Sequence, residues 1–171
     1  RCSVWLYSDD CTVIRCVDLY SAVKDEHRGG DELNSSEFPS YINAHFTELF
    51  IAADDVFSDP RTRDIPAQYF RENMIASLID VPLWNIDKLY GVLSFEHTGK
   101  TRRWTQDDER LAVIMSTIVS LYIETRRRSS TERELQETEL QLRRAGDNLT
   151  GGVIYQIITK NDGTRRFTYV S

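Results

Sequence analysis

The residue types that most often carry catalysis or bind metals are few in this chain and lie far apart. The three histidines, His27, His45 and His97, are widely separated, and none has a cysteine or carboxylate at metal-ligand spacing. His97 follows Glu96 at the end of a strand-like run, where a hydrogen-bonded structural role is favoured over that of a catalytic base. We therefore expect neither a catalytic set nor a metal site, and no enzymatic activity in this chain.

Two further groups of residues fit a functional site only in part. Asp54, Asp55 and Asp59 could hold a cation, but paired acids after a strand more often cap the next turn, and we favour that interpretation. The pair Gly29-Gly30 lacks the Lys-Ser/Thr that completes a phosphate-binding loop. Neither group changes the expectation of a non-enzymatic chain.

The three cysteines contain no CxxC pair, which favours free thiols in a reducing compartment and hence a cytoplasmic protein. If two acidic residues alone form the first turn, Cys2 lies opposite Val17 and only diagonal to Cys16. Burial as small apolar side chains is therefore preferred over redox sensing.

Composition restricts the partners of the chain. Its 171 residues are 40% apolar and 28% charged, which is typical of a folded globular protein. A formal net charge of −6 argues against nucleic acid as the main partner, and the basic cluster at residues 126–128 is followed by an acidic helix. No apolar run approaches the length of about 20 residues that spans a bilayer, so no direct membrane insertion is expected.

The elements that would position these residues follow an α+β pattern. Residues 3–8 and 12–20 read as an antiparallel hairpin, and residues 76–83 and 88–97 as a second strand pair. Several of these strands are apolar on both faces, which predicts a sheet covered by helices on both sides. A capping serine before Phe38 predicts a helix with its apolar residues on one face. Asp59-Pro60 predicts a helix N-cap with proline at the first helical position, and a helix is expected near residues 66–73.

A last helix begins at Thr105 and has no glycine or proline before Gly146. It would be about 60 Å long. Apolar residues at heptad spacing predict the seam of a parallel homodimeric coiled coil. These residues are Leu111, Ile114, Ile118, Leu121, Leu135 and Leu142. Polar residues interrupt the outer half of the seam. They would lower the stability of the coiled coil and keep its two states close in free energy, which suits a switch.

Several runs, in this order and spacing, resemble a GAF domain over residues 1–125 without its first helix. They are the first hairpin, IAADD at 51–55, DPRTR at 59–63, IASLIDVP at 75–82, LYGVLSFEH at 89–97 and RWT at 103–105. Residues 126–146 would be a helical linker. DNLTGGVIY at 147–155 and FTYVS at 167–171 are similar to the opening strands of a truncated PAS domain. Bacterial sensor histidine kinases and cyclic-di-GMP enzymes contain this order of domains.

The resemblance implies a mostly antiparallel sheet with helices on both faces and a ligand pocket under a roof formed by about residues 20–74. Position alone selects the candidate wall and polar residues of that pocket. They are Phe38, Tyr41, Phe46, Tyr69, Ser77, Ser94 and Glu96. For most of them ordinary core packing is the competing interpretation.

The ligand and any cofactor stay open. Family patterns for bilin, cyclic-nucleotide and methionine sulfoxide sites are missing, because the chain has no Cys-His pair, no Asn-Lys-Phe-Asp-Glu pattern and no roof cysteine. A haem held by His45 remains an alternative. The resemblance implies a sensory input module that relays a signal through its last helix, and the rival interpretation is a ligand-free dimerisation scaffold between sensor domains.

Overall fold

A computed structural model describes residues 1–86, 88–147, 155–159 and 163–169. The chain divides into two units, Arg1–Glu124 and Thr125–Ser171. In the first unit the strands are β1 Cys2–Tyr7, β2 Val13–Ser21, β3 Glu26–Arg28, β4 Glu32–Asn34, β5 Ile51–Ala53, β6 Ile75–Asn85 and β7 Lys88–Thr98. The helices are α1 Pro39–Thr47, α2 Ala67–Glu72 and α3 Gln106–Asp147, the last continuing into the second unit.

One antiparallel sheet organises the first unit. Its strand order is β3-β2-β1-β7-β6-β5, and β4 also pairs with β2. The central strands are buried on both faces, since every residue of β6 from Ile75 to Leu83 is buried. Helical segments cover each face, so the prediction of an α+β fold with a mostly antiparallel sheet and a long final helix is confirmed.

Side-chain alternation along the strands separates two cores. On one face Ile79 and Val81 pack against Ala112 of α3, and Leu83 joins a cluster with Val119. On the other face lie the roof elements α1 and α2 and the loop between β5 and α2. The close pairing of β1 with β7 requires Gly91, because a Cβ there would lie only 1.9 Å from the Trp5 carbonyl oxygen.

The first hairpin differs from the sequence prediction. Its turn extends over residues 8–12, where the Asp10 carboxylate accepts hydrogen bonds from the hydroxyls of Ser8 and Thr12. A bulge between Val4 and Trp5 then shifts the register. Cys2 therefore lies opposite Tyr20 instead of the predicted Val17. All three cysteines are free thiols.

The helix start predicted at Asp59-Pro60 is wrong, because residues 54–65 form turns, whereas the helix expected near residues 66–73 is present as α2. The Asp59 carboxylate accepts the backbone N–H of Arg61 and pairs with its guanidinium. That guanidinium also donates to the Ala52 carbonyl, which fixes the loop to β5. A side chain that was expected to start a helix instead anchors a turn.

The start of α3 matches its prediction. Thr105 and Asp108 form a reciprocal cap: the Asp108 N–H donates to the Thr105 hydroxyl at 3.2 Å, and the Thr105 N–H donates to the Asp108 carboxylate at 2.9 Å. Among the described residues no helix is both long enough and apolar enough to cross a membrane.

In the second unit, the strands β8 Tyr155–Thr159 and β9 Arg165–Tyr169 pair in antiparallel register. Gly163 between them has φ +81°, which suits a hairpin turn. Much of the segment predicted to open a PAS domain, including residues 148–154, lies outside the described residues, so the PAS assignment stays a prediction.

Candidate ligand pocket

A cavity of about 190 Å³ lies between the sheet and its roof. Strands β1, β2 and β7 contribute its floor, and α1, the preceding turn and the start of α2 contribute its cover. Apolar and aromatic side chains predominate in the lining, which consists of Trp5, Ile14, Leu33, Phe38, Tyr41, Ile65, Pro66, Tyr69, Val92, Ser94 and Glu96. The space exceeds that of an engineered cavity of about 150 Å³ that holds benzene.

Five of the seven residues proposed from the sequence meet around this cavity. They are Phe38, Tyr41, Tyr69, Ser94 and Glu96. Alternation brings Val92, Ser94 and Glu96 of β7 to the same face of the sheet. Their role in ligand binding is a proposal, but their convergence is a structural fact.

Phe46 and Ser77 lie elsewhere. Phe46 is one position past the buried His45, about 100° further around α1, and its ring is half exposed against Tyr7 and Trp84. The Ser77 hydroxyl donates to the Asp54 carbonyl and accepts the backbone N–H of Arg102, each at 2.7 Å. Ser77 therefore connects β6 to the segment that leads into α3.

A buried carboxylate behind the cavity was missed by the sequence reasoning. Asp80 of β6 has no solvent exposure and accepts hydrogen bonds from the hydroxyls of Tyr41 and Ser94. Burial raises the pKa of the Asp80 carboxyl to about 7, against the opposing effect of these two donors. The signal was present in the sequence, because Asp80 is the one acid in the apolar run of residues 78–83.

Glu96 is the charged residue of the lining. Its Oε2 atom lies 2.9 Å from Nε of Arg1, and both side chains are more than nine-tenths buried. The alignment does not make a hydrogen bond, so Glu96 Oε2 and Arg1 Nε have no hydrogen-bond partner among the described residues. Burial raises the pKa of Glu96 above its usual range, with Arg1 opposing the shift.

His45 is completely buried beside the cavity and does not contribute to its lining. Its Nδ1 atom lies 2.9 Å from the Tyr7 hydroxyl, and its ring centroid lies 4.4 Å from that of Tyr41. Burial lowers the pKa of His45 to about 3, so the ring is neutral at pH 7. A cavity of about 190 Å³ is too small for a porphyrin, which gives no support to the haem alternative.

The acids considered for a cation site are used by local turns. Asp55 accepts the backbone N–H of Phe57 at 2.9 Å, and Asp54 accepts that of Trp104 at 2.8 Å. Within the described part of the chain, no cluster of three or more histidine, cysteine or acidic side chains could hold a metal ion.

The six apolar residues proposed for a dimer seam lie along α3. Each of Leu111, Ile114, Ile118, Leu121, Leu135 and Leu142 is between 55% and 63% exposed in the single chain. The remainder of the α3 side chains between residues 125 and 145 are exposed as well. In the first unit the helix thus presents four of these exposed apolar residues between positions 111 and 121, and in the second unit Leu135 and Leu142 are exposed after a polar stretch.

Comparison with known families supports the assignment suggested by the strand order and the roofed cavity. The model of the GAF domain matches residues 1–123. The chain belongs to the GAF domain family. No curated protein sequence matches it.

Solved structures share the GAF fold at low sequence identity. The GAF domain of a phosphoenolpyruvate-protein phosphotransferase from Coxiella burnetii is 14% identical, with a TM-score of 0.59 over 76% of this chain and 74% of that one. A domain of a putative two-component sensor histidine kinase from Sinorhizobium meliloti is 15% identical, with a TM-score of 0.52 over 77% and 83%. A far-red cyanobacteriochrome photoreceptor is 16% identical, with a TM-score of 0.51 over 72% and 75%.

Proposed function

We propose that this GAF domain is a sensory input module that binds a small molecule between its sheet and its roof. The cavity lined by Phe38, Tyr41, Tyr69, Ser94 and Glu96 is the observation that carries the proposal. Its composition, predominantly apolar with a few convergent polar groups, is typical of ligand sites. Its volume lies below the usual range of about 300–1,000 Å³, which favours a ligand of roughly one ring in size.

The structural relatives are consistent with a sensory role, since they include domains of a putative sensor histidine kinase and of a photoreceptor. Membership of a family of regulatory domains also agrees with a chain that is not itself an enzyme. On the same basis we propose a place in a cytoplasmic, bacterial signalling protein with a PAS domain after α3. The output domain is not part of the proposal.

A route from the roof to α3 supports signal relay. The loop after β5 is bonded to the segment before α3, because Trp104 donates its backbone N–H to Asp54 and its indole N–H to the Ala53 carbonyl at 3.1 Å. Ser77 binds both sides of this junction. A ligand that moves the roof would therefore displace the first turn of α3. A tenfold preference for one state supplies about 1.4 kcal/mol to such a shift.

The exposed apolar row on α3 favours a second candidate, a ligand-free dimerisation scaffold. In that case the domain would set the spacing and pairing of its neighbours, and the cavity would be a packing defect. The two candidates differ in whether a molecule occupies the cavity.

Native mass spectrometry of the 171-residue chain, purified from cells, separates them. We expect a dimer that carries a reproducible small-molecule mass excess. Val92→Phe fills the cavity from the floor and should abolish the excess, whereas Val81→Phe overpacks the α3 face of the sheet and should retain it. A dimer with no excess, and no thermal stabilisation by indole as a neutral probe, would establish the scaffold.

A further inference from the structure

Four aromatic rings surround the candidate cavity. Trp5 comes from β1, Phe38 precedes α1, Tyr41 lies in α1 and Tyr69 in α2. Rings from four separate elements thus border about 190 Å³ of space. Aromatic faces carry negative electrostatic potential and attract cations, most strongly where water is excluded.

The charge in the cavity lining is negative. Glu96 is the one charged residue of its lining, which contains no lysine, arginine or histidine. A second carboxyl, Asp80, lies behind Tyr41 and Ser94. Arg1 supplies the opposing charges through its guanidinium and its N-terminal ammonium, but it lies outside the lining. The Glu96 Oε2 atom has no hydrogen-bond partner among the described residues.

From these observations we infer that the cavity binds a small organic ammonium ion, held by the aromatic rings and by Glu96. The inference rests on the proposed function, because it names the ligand class of the same site. An anionic ligand would be buried beside the Glu96 carboxylate, which is unfavourable. A neutral ligand would fill the space but gain nothing from Glu96.

Size agrees with this ligand class. A cavity of about 150 Å³ accommodates the six carbons of benzene, so about 190 Å³ accommodates a branched ammonium of about seven non-hydrogen atoms. A larger ligand, such as a nucleotide, would have to displace the roof.

Three molecules of one shape test the inference on the 171-residue chain. Choline carries its charge at the branched end, 3,3-dimethylbutylammonium carries it at the other end, and 3,3-dimethylbutan-1-ol carries none. Calorimetry should show that at least one of the two cations binds about tenfold or more tightly than the neutral alcohol. Equal affinity of all three compounds, or binding of the alcohol alone, would overturn the inference.

Two variants assign the effect to the cavity. Glu96→Gln removes the lining charge and should bring the affinities of cation and alcohol together. Phe38→Leu removes a ring at similar volume and should weaken cation binding more than alcohol binding; it also serves if Glu96→Gln does not fold. Phe57→Leu is the matched control, because the Phe57 ring is half exposed and packs on Phe70 outside the cavity. Equal losses in Phe38→Leu and Phe57→Leu would contradict an aromatic cation site.

The result also separates this inference from the proposed function. If indole stabilises the protein but neither cation binds more tightly than the alcohol, the ligand class is wrong and the cavity remains a binding site. If none of these compounds binds and no mass excess is found, both proposals fail.

Discussion

At the scale of single residues, the sheet places its buried acids on the roof side. Asp80 and Glu96 occupy strand positions on the roof side of the sheet, Glu96 in the cavity lining and Asp80 behind it, while their neighbours Ile79 and Phe95 pack toward α3. Both acids are desolvated, and hydroxyls or a guanidinium stabilise them only in part. Such groups cost stability when ionised and are retained where they orient a ligand or a network.

Asp80→Asn should therefore change how stability depends on pH. Because folding raises the pKa of Asp80 from 3.8 to about 7, the carboxyl takes up a proton on folding between these values. Its contribution to stability is present below pH 4 and is lost as the pH rises to 7. The variant should thus gain stability relative to the parent across this range, by a few kcal/mol at about 1.4 kcal/mol per pKa unit. Urea unfolding at pH 4 to 8 measures this difference.

The difference in stability between Asp80→Asn and the parent is the quantity to measure, because His45 changes the pH dependence of the parent's stability in the opposite direction. Its pKa falls to about 3 on folding, so stability is lost as the pH falls below 6.5. This partly cancels the Asp80 effect in the parent. Asp31→Asn, which removes a half-exposed carboxyl on the protein surface, is the matched control. If the Asp80→Asn difference does not vary with pH, the carboxyl is ionised in the fold throughout.

The outcome for individual residues shows what sequence parity can predict. Ser94 and Glu96 were proposed from their position alone, and because they alternate along β7 the structure brings both to the cavity. The same rule separates Ser77 from Asp80, since residues of odd and even number point to opposite faces between the two bulges of β6. Which face of β6 lies toward the roof depends on tertiary packing, however. No local pattern in the sequence therefore indicated that Asp80, and not Ser77, lies on the roof side.

At the scale of elements, the ends of α3 within the first unit are fixed by specific bonds. Thr105 and Asp108 cap its start. Further along, the Glu124 carboxylate accepts hydrogen bonds from Tyr90 at 2.5 Å and from Asn85 at 2.9 Å. The helix is therefore attached both near the roof junction and near the β6–β7 turn, so a change at the junction would tilt or rotate it about the second attachment.

Thr105→Ala should lower the free energy of unfolding by about 1 kcal/mol, because it removes the hydroxyl that accepts the Asp108 N–H. Thr105→Ser retains this acceptor and should restore most of the loss. Thr101→Ala, at an exposed position before the helix, is the matched control. Guanidinium unfolding followed by circular dichroism measures all three. Equal stability of Thr105→Ala and Thr101→Ala would show that the cap contributes nothing.

Elements with strong periodicity were predictable, and irregular ones were not. The buried runs of β6 and β7 and the cap of α3 have local signatures, and the structure contains them within a few residues. Register in the first hairpin depends on a bulge and a five-residue turn, which no short motif specifies. In the 54–65 segment the Asp59 side chain is held by Arg61, whose other bonds reach Glu48 and Ala52. The bonds to Glu48 and Ala52 span 13 and 9 positions of the sequence, beyond the reach of a local motif.

At the scale of the whole molecule, the exposed side chains of α3 bear on assembly. A single helix with no buried side chain from 125 to 145 gains little from packing and is marginal in water. Four apolar residues at heptad spacing, Leu111 to Leu121, continue the same row within the first unit. A second copy in parallel register would bury both portions of the row, and polar seam positions beyond residue 121 would keep that pairing weak enough to respond to a ligand.

Ile118→Glu tests this assembly at the middle of the apolar row. Facing its symmetry mate across a parallel seam, the introduced carboxylate would meet a like charge in an apolar environment, so the dimer should dissociate. Leu140→Glu makes the same kind of change off the heptad frame of the same helix, and the two side chains are 55% and 54% exposed. Sedimentation equilibrium should show a dimer for the parent and Leu140→Glu and a monomer for Ile118→Glu. A parent that is monomeric at every concentration would contradict the coiled-coil relay, whereas a dimeric Ile118→Glu would place the interface on another surface.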